Sequence, residues 1–219
     1  AGLCEADRRP YRQCSGAYGS FLRAAIRFSD RRGDSKQAQY WFDKLRNWPG
    51  QNVNDAGRIA EMSLPLKDFA EKQLYDSIGS PQVAVSEVYG ALQGAIYGGL
   101  LTGDIDVFNA QWEYARQVHA YYLKEQFRQT DVATTGARME YMDRDFPFLA
   151  GNVFTNLLMN LGPDEAQTLY ANAPEDLRRY AYDSLVLRFK DFVDQQNKAG
   201  LSKPFEVIFP EPSGMKEHR

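Results

Sequence analysis

The sequence predicts an all-α fold: one domain of seven to nine helices arranged in antiparallel hairpins. Three observations carry this. Apolar residues recur at three- and four-residue steps almost from end to end of the 219 residues, the period of a helix face. Glycine, proline and Asp/Ser punctuate these stretches where helices stop and start. No pair of alternating runs flanks a hairpin turn, so no sheet is expected.

The elements follow in order. Tyr11, Cys14, Tyr18, Phe21, Leu22, Ala25 and Phe28 form one stripe, closed by Gly33, a residue free to take the left-handed conformation that ends helices. Asp34 or Ser35 caps a second helix carrying Ala38, Trp41, Phe42, Leu45 and Trp48, and Pro49-Gly50 stops it. Asn54 or Asp55 opens a third, with a break near Ser63 because Pro65 lacks an amide hydrogen. The pattern resumes through Leu66, Phe69, Ala70, Leu74 and Ile78. Ser80-Pro81 starts a helix reaching Leu101, and Thr102-Gly103-Asp104 turns into a long one from Ile105 to Arg128. A weak helix between Thr135 and Met142 precedes one begun by Pro147 and ending near Leu161. A short helix ends at Asn172, and Pro174 opens the last long one, closed by Gly200. The segment 203–212, with Pro204, Pro210 and Pro212 around Phe205, Val207, Ile208 and Phe209, is expected as an extended strap across a domain spanning residues 1–212. Residues 213–219 are expected to fray.

Hydrophobic residues make up 43% and charged residues 25% of the chain, a globular composition. The net charge of −3 gives no field to draw nucleic acid. Val83 to Leu101 has the length of a bilayer span but carries Ser86, Glu87 and Gln93, so it is expected as a buried central helix and no transmembrane segment is predicted. The two cysteines, Cys4 and Cys14, stand ten apart in a sequence beginning at Ala1. Together these features predict an exported, periplasmic or secreted protein with a Cys4–Cys14 disulfide.

An internal similarity spans seventy residues. Leu22, Ala25-Ile26, Gly33-Asp34, Phe42 and Arg46 match Leu92, Ala95-Ile96, Gly103-Asp104, Trp112 and Arg116 without a gap. Each copy is a helix, a Gly-Asp corner and a second helix. The second helices carry Ala38, Phe42 and Leu45, and Phe108, Trp112 and Ala115. The tetratricopeptide family lines its second helix with a small residue, an aromatic and another small residue; in the spacing of these positions, each with an aromatic at its centre, the hairpin resembles a degenerate unit of that family. It lacks that family's first-helix tryptophan and tyrosine, and the two copies are not in tandem.

Candidate functional residues are few. Gly90, Gly94 and Gly98, four apart, predict a groove where another backbone approaches closely, foremost a helix of the same chain. Glu87 lies on the same helix, and a carboxylate in apolar surroundings can act as a general acid. His119 is the sole histidine within the predicted helices and has no metal-ligand spacing around it. The acidic run Glu140, Asp143 and Asp145 lacks the spacing of a calcium loop. No metal or cofactor is therefore expected. Tyr114 and Tyr121 lie on a second apolar face of the long fifth helix and are the predicted partner-binding residues. The expected function is recognition of a protein partner, as an adaptor, an inhibitor or the immunity partner of a toxin. The alternatives are a carboxylate-dependent enzyme using Glu87 and a carrier holding a small apolar ligand in the glycine groove.

Overall fold

A computed structural model describes residues 10–48, 55–78, 81–128 and 142–215, with the side chains of 10–15 and 125–128 left out. Its helices are α1 (Pro10–Arg31), α2 (Ser35–Arg46), α3 (Ala56–Met62), α4 (Leu66–Ser77), α5 (Pro81–Ala95), α6 (Ile105–Arg128), α7 (Phe146–Met159), α8 (Pro163–Asn172), α9 (Glu175–Lys198) and α10 (Phe205–Ile208), with a π-helical turn at Ile96–Leu100. Every regular element among the described residues is helical, as the periodicity predicts. Two short helices account for the larger number: the break before Pro65 separates α3 from α4, and a helical turn forms inside the C-terminal strap. The weak helix expected at Thr135–Met142 lies outside the described residues but for its last position. The chain divides into two compact units, Ala1–Ser80 and Pro81–Arg219.

In the first unit α1 and α2 form a hairpin against which α4 packs. Gly33 turns the corner with φ 76°. Asp34 N–H reaches back to Ser29 O at 3.0 Å, while the Asp34 carboxylate accepts from Gln37 N–H at 2.9 Å. One glycine thus releases α1 and one aspartate starts α2. The core is Leu22, Ile26, Phe42, Leu45 and Phe69, with Trp41, Met62, Leu64 and Leu66 packed against it. Arg46 lies over the Phe42 ring at 4.0 Å and donates to Met62 O and Leu64 O at 2.8 and 2.6 Å. It thereby satisfies carbonyls freed where α3 stops.

Arg23 of α1 grips Glu61 of α3 through two hydrogen bonds of 2.9 Å. Burial pushes the Glu61 carboxyl up, but the Arg23 hydrogen bonds and the charges of Arg23, Arg58 and Lys72 outweigh it, and the net position lies below the ordinary 4.5. A lowered folded-state value means that Glu61 stabilises the fold above the ordinary value and that this contribution fades as pH falls through the folded one. Acid titration followed by circular dichroism should therefore show Glu61→Gln less stable than the parent at pH 7, with the two curves converging toward pH 3. A gap that does not close with acid would remove the ion pair from the explanation.

In the second unit α5 and the π turn form a hairpin with α6, and α7 packs against both α5 and α9. The predicted central helix is indeed interior: Ala84, Val88, Ala91, Leu92, Ala95, Ile96 and Leu100 are buried. No helix of the described residues is long and apolar enough to cross a membrane. The corner at Gly103 repeats that at Gly33, with φ 76°, Asp104 N–H on Gly99 O at 2.9 Å and the Asp104 carboxylate accepting from Val107 N–H at 3.0 Å. Asp145 caps α7 through Phe148 N–H, which explains why Pro147 sits one residue inside the helix. Gly151 allows α7 against α9: a Cβ there would stand 2.6 Å from Tyr180 Cδ1.

The C-terminal segment departs from the expected extended strap. Pro204 O accepts from Ile208 N–H at 3.2 Å and closes the single turn of α10, which turns Phe205 and Phe209 into the unit. Phe209 meets Tyr170 edge-on at 5.6 Å and stacks on Phe189 at 6.1 Å. The Tyr170 hydroxyl donates to Pro210 O at 2.8 Å, and burial pushes that phenol well above its ordinary range. Of the tail expected to fray, Ser213 is held by Arg179 Nε, which donates to its carbonyl at 2.6 Å, and by its own N–H on Glu175 at 2.7 Å, and Met215 is buried; residues 216–219 lie outside the described residues.

Candidate functional site

The glycine positions chosen from the sequence meet different fates. Gly94 faces α6, where a Cβ would lie 2.7 Å from Gln111 Cδ, and Gln111 itself is buried. The next close approach falls at Gly99, where a Cβ would lie 2.7 Å from the Phe108 backbone. Gly98 is half-buried. The π turn is the cause: Leu101 N–H bonds to Ile96 O, five residues back, and the additional residue advances the helix face from 98 to 99. At Gly94 and Gly99 α6 thus packs directly on the helix, and Gln111 and Phe108 occupy the places a small ligand would take there.

Glu87 is half-buried on α5 and accepts a hydrogen bond of 2.9 Å from the Tyr114 hydroxyl of α6. The contact ties the two helices of the hairpin together. Tyr114 and Tyr121, predicted to face a partner, are both half-buried. His119 is buried, its Nε2 2.7 Å from Asp143 O, and its ring packs beside Phe146 at 5.4 Å. A ring nitrogen held on a carbonyl carries the proton and donates, so His119 serves the packing of α6. Asp143 accepts from Asp145 N–H. These two acids order the entry to α7, and no metal-binding group is found among the described residues. Glu140 and Cys4 lie outside the described residues, as does the Cys14 side chain, and with them the predicted disulfide.

The α1–α2 hairpin carries an exposed aromatic surface that draws on the apolar stripe of α1 and on Tyr40, which lies outside the predicted stripe of α2. Tyr18, Phe21, Phe28 and Tyr40 are 42–54% exposed. Three of these rings touch in sequence with the half-buried Trp41 and Trp48: Trp48 meets Tyr18 at 5.4 Å, Tyr18 meets Phe21 at 6.5 Å, Phe21 meets Trp41 at 5.8 Å and Trp41 meets Tyr40 at 4.9 Å. Farther along α1, Phe28 lies beneath the guanidinium groups of Arg31 and Arg32 at 5.5 and 5.6 Å. A signal for this face was present in the sequence. At 100° per residue the α1 apolar positions, Ile26 included, span roughly 160°. Leu22, Ile26 and Ser29 take the buried part, and Phe21 and Phe28 are left at the outer edge.

The rings border a cleft of about 370 Å³ lined by Tyr18, Tyr40, Asp43, Lys44, Asn47 and Trp48. Tyr40, Asp43, Lys44 and Asn47 share one face of α2 by their three- and four-residue spacing. Gly19 lets the wall close: a Cβ there would stand 3.2 Å from Trp48 Cζ3. Tyr18 and Trp48 meet edge to face at 72° and so form a corner of the cleft. Asp43 accepts from Gln39 Nε2 at 2.8 Å, and Lys44 Nζ sits over the Tyr40 ring at 5.5 Å.

No protein-family model matches the chain, and no curated protein or solved structure matches it significantly. None of these comparisons supports the tetratricopeptide resemblance.

Proposed function

We infer that the chain is a protein-binding module that recognises its partner through the aromatic face of the α1–α2 hairpin. The observation that carries this reading is the connected run of Trp48, Tyr18, Phe21, Trp41 and Tyr40, in which Tyr18, Phe21 and Tyr40 are exposed and the two tryptophans half-buried. Large rings with polar tips bury much area at little entropic cost and dominate interface energetics. The face takes over the role assigned in sequence to Tyr114 and Tyr121. An adaptor, an inhibitor and a toxin-immunity protein are the forms of this function that a small helical binder takes. Glu87 as a catalytic acid gains no support from its tie to Tyr114, and a carrier role gains none from a helix on which α6 packs directly at Gly94 and Gly99.

A photo-crosslinking phenylalanine analogue at position 21, compared with one at the exposed but remote Leu187, tests the reading in extracts of the native source. The partner should attach at 21 and not at 187. Its affinity, measured with purified components, should fall at least thirtyfold in Tyr18→Ser/Phe21→Ser at unchanged melting temperature. Undiminished binding by that double variant refutes the assignment.

An oxidising compartment belongs to the same proposal and rests on the cysteine pair. Thiol titration of the unfolded, unreduced protein should find no free Cys4 or Cys14; two free thiols argue for a reducing compartment.

A further inference from the structure

We propose that the cleft at the end of α2 is a cation site that takes a basic side chain of the partner, an arginine or lysine; this rests on the protein-binding reading above. Three features of the cleft favour positive charge. Tyr18, Tyr40 and Trp48 supply three aromatic rings to its lining, and the electron-rich faces of such rings attract ammonium and guanidinium groups. The Asp43 carboxylate spends Oδ1 on Gln39, and among the described residues nothing takes its Oδ2. The cleft also lies against the last turn of α2, where Asn47 ends the helix and the helix dipole is negative.

Lys44 supplies a fourth observation. Its ammonium already lies over the Tyr40 ring, so a cation of the chain itself occupies one wall. In the free protein Lys44 fills a position that the incoming charge takes over, and its own charge opposes that entry. Arginine suits the site best, because a flat, weakly hydrated guanidinium stacks on rings while pairing with a carboxylate.

This arrangement makes an unusual demand: removing a positive charge from the cleft should tighten binding of a cation and would weaken binding of an anion. The probe is N-acetyl-arginine amide, with N-acetyl-citrulline amide as its uncharged counterpart of the same shape. The readout is the Trp48 indole N–H resonance, identified by its loss in Trp48→Phe. The arginine amide should shift this signal saturably, with citrulline at least fivefold weaker. Lys44→Met should strengthen arginine binding at least twofold, and Asp43→Asn should weaken it at least threefold. Both residues are exposed, so circular-dichroism melts of these variants should match the parent. Equal binding of arginine and citrulline, an unresponsive Trp48 in the folded protein, or weaker binding by Lys44→Met overturns the proposal. Should the partner crosslink at position 21 while arginine amide leaves Trp48 unmoved, the cation assignment falls and the binding face stands. Saturable arginine binding without a crosslinked partner gives the converse.

Discussion

Gly99→Leu is expected to destabilise the Pro81–Arg219 unit strongly. A Cβ at 99 would stand 2.7 Å from both N and Cα of Phe108, and a backbone cannot rotate away as a side chain can. The longer leucine must push α6 from the π turn. That separation disturbs Ile96 and Leu100, which are buried on the same stretch, and the corner hydrogen bond from Asp104 N–H to Gly99 O. Overpacking commonly costs about 1–3 kcal/mol, and with the obstacle a backbone the upper end, about 3 kcal/mol, is expected. For a unit of this size that corresponds to a fall of roughly 6–12 °C in melting temperature. Gly94→Ala is the informative comparison. Its obstacle is the terminal amide of Gln111, which can turn aside, so a loss of about 1 kcal/mol is expected. Equal losses at 94 and 99 would show that the π turn does not set the close approach, and a Gly99→Leu protein melting with the parent would deny the packing itself.

Phe42→Ala is expected to unfold much of the Ala1–Ser80 unit. Phe42 is fully buried, meets Phe69 at 4.5 Å and bears the Arg46 guanidinium on its other contacts at 4.0 Å. Truncating a buried phenylalanine costs about 3–5 kcal/mol. Small proteins hold roughly 0.05–0.15 kcal/mol per residue in reserve, so the loss is comparable with the entire stability of a unit this small. Arg46 would also lose the ring that steadies it against Met62 O and Leu64 O, and the junction of α3 and α4 should loosen with the core. Hydrogen exchange of amides in α2 and α4 measures this directly and should rise together in the variant. Tyr40→Ala, two residues away on the exposed side of the same helix, should leave exchange unchanged. A Phe42→Ala protein with native protection in α4 would show that the five-residue core is not the source of the unit's stability.

The two results bear on function through different routes. Phe42 anchors α2, and α2 carries Tyr40, Trp41, Asp43 and Lys44, so the surface proposed for recognition depends on a fully buried residue. Substitutions on the surface itself should alter binding at constant stability. Core substitutions should alter both, and this separation is what makes the aromatic face testable.

Local chemistry determined the helical character of this protein, its helix starts and stops, and both Gly-Asp corners. Such features depend on residues a few positions apart: a proline without an amide hydrogen, a glycine at positive φ, a carboxylate reaching the amide three residues on. The interior place of α5 was equally legible, because an unbroken apolar helix with few polar positions has little choice but burial. Tertiary structure alone decided the rest. Periodicity marks an apolar face but not which part of a wide one a neighbour covers, so the stripe of α1 does not by itself separate the buried Leu22 and Ile26 from the exposed Tyr18, Phe21 and Phe28. It also assumes a constant helical pitch, so the π turn moved the close approach from Gly98 to Gly99 unseen. The cleft required most of all, since Tyr18 and Trp48 are thirty residues apart and become one corner only when α1 folds back on α2.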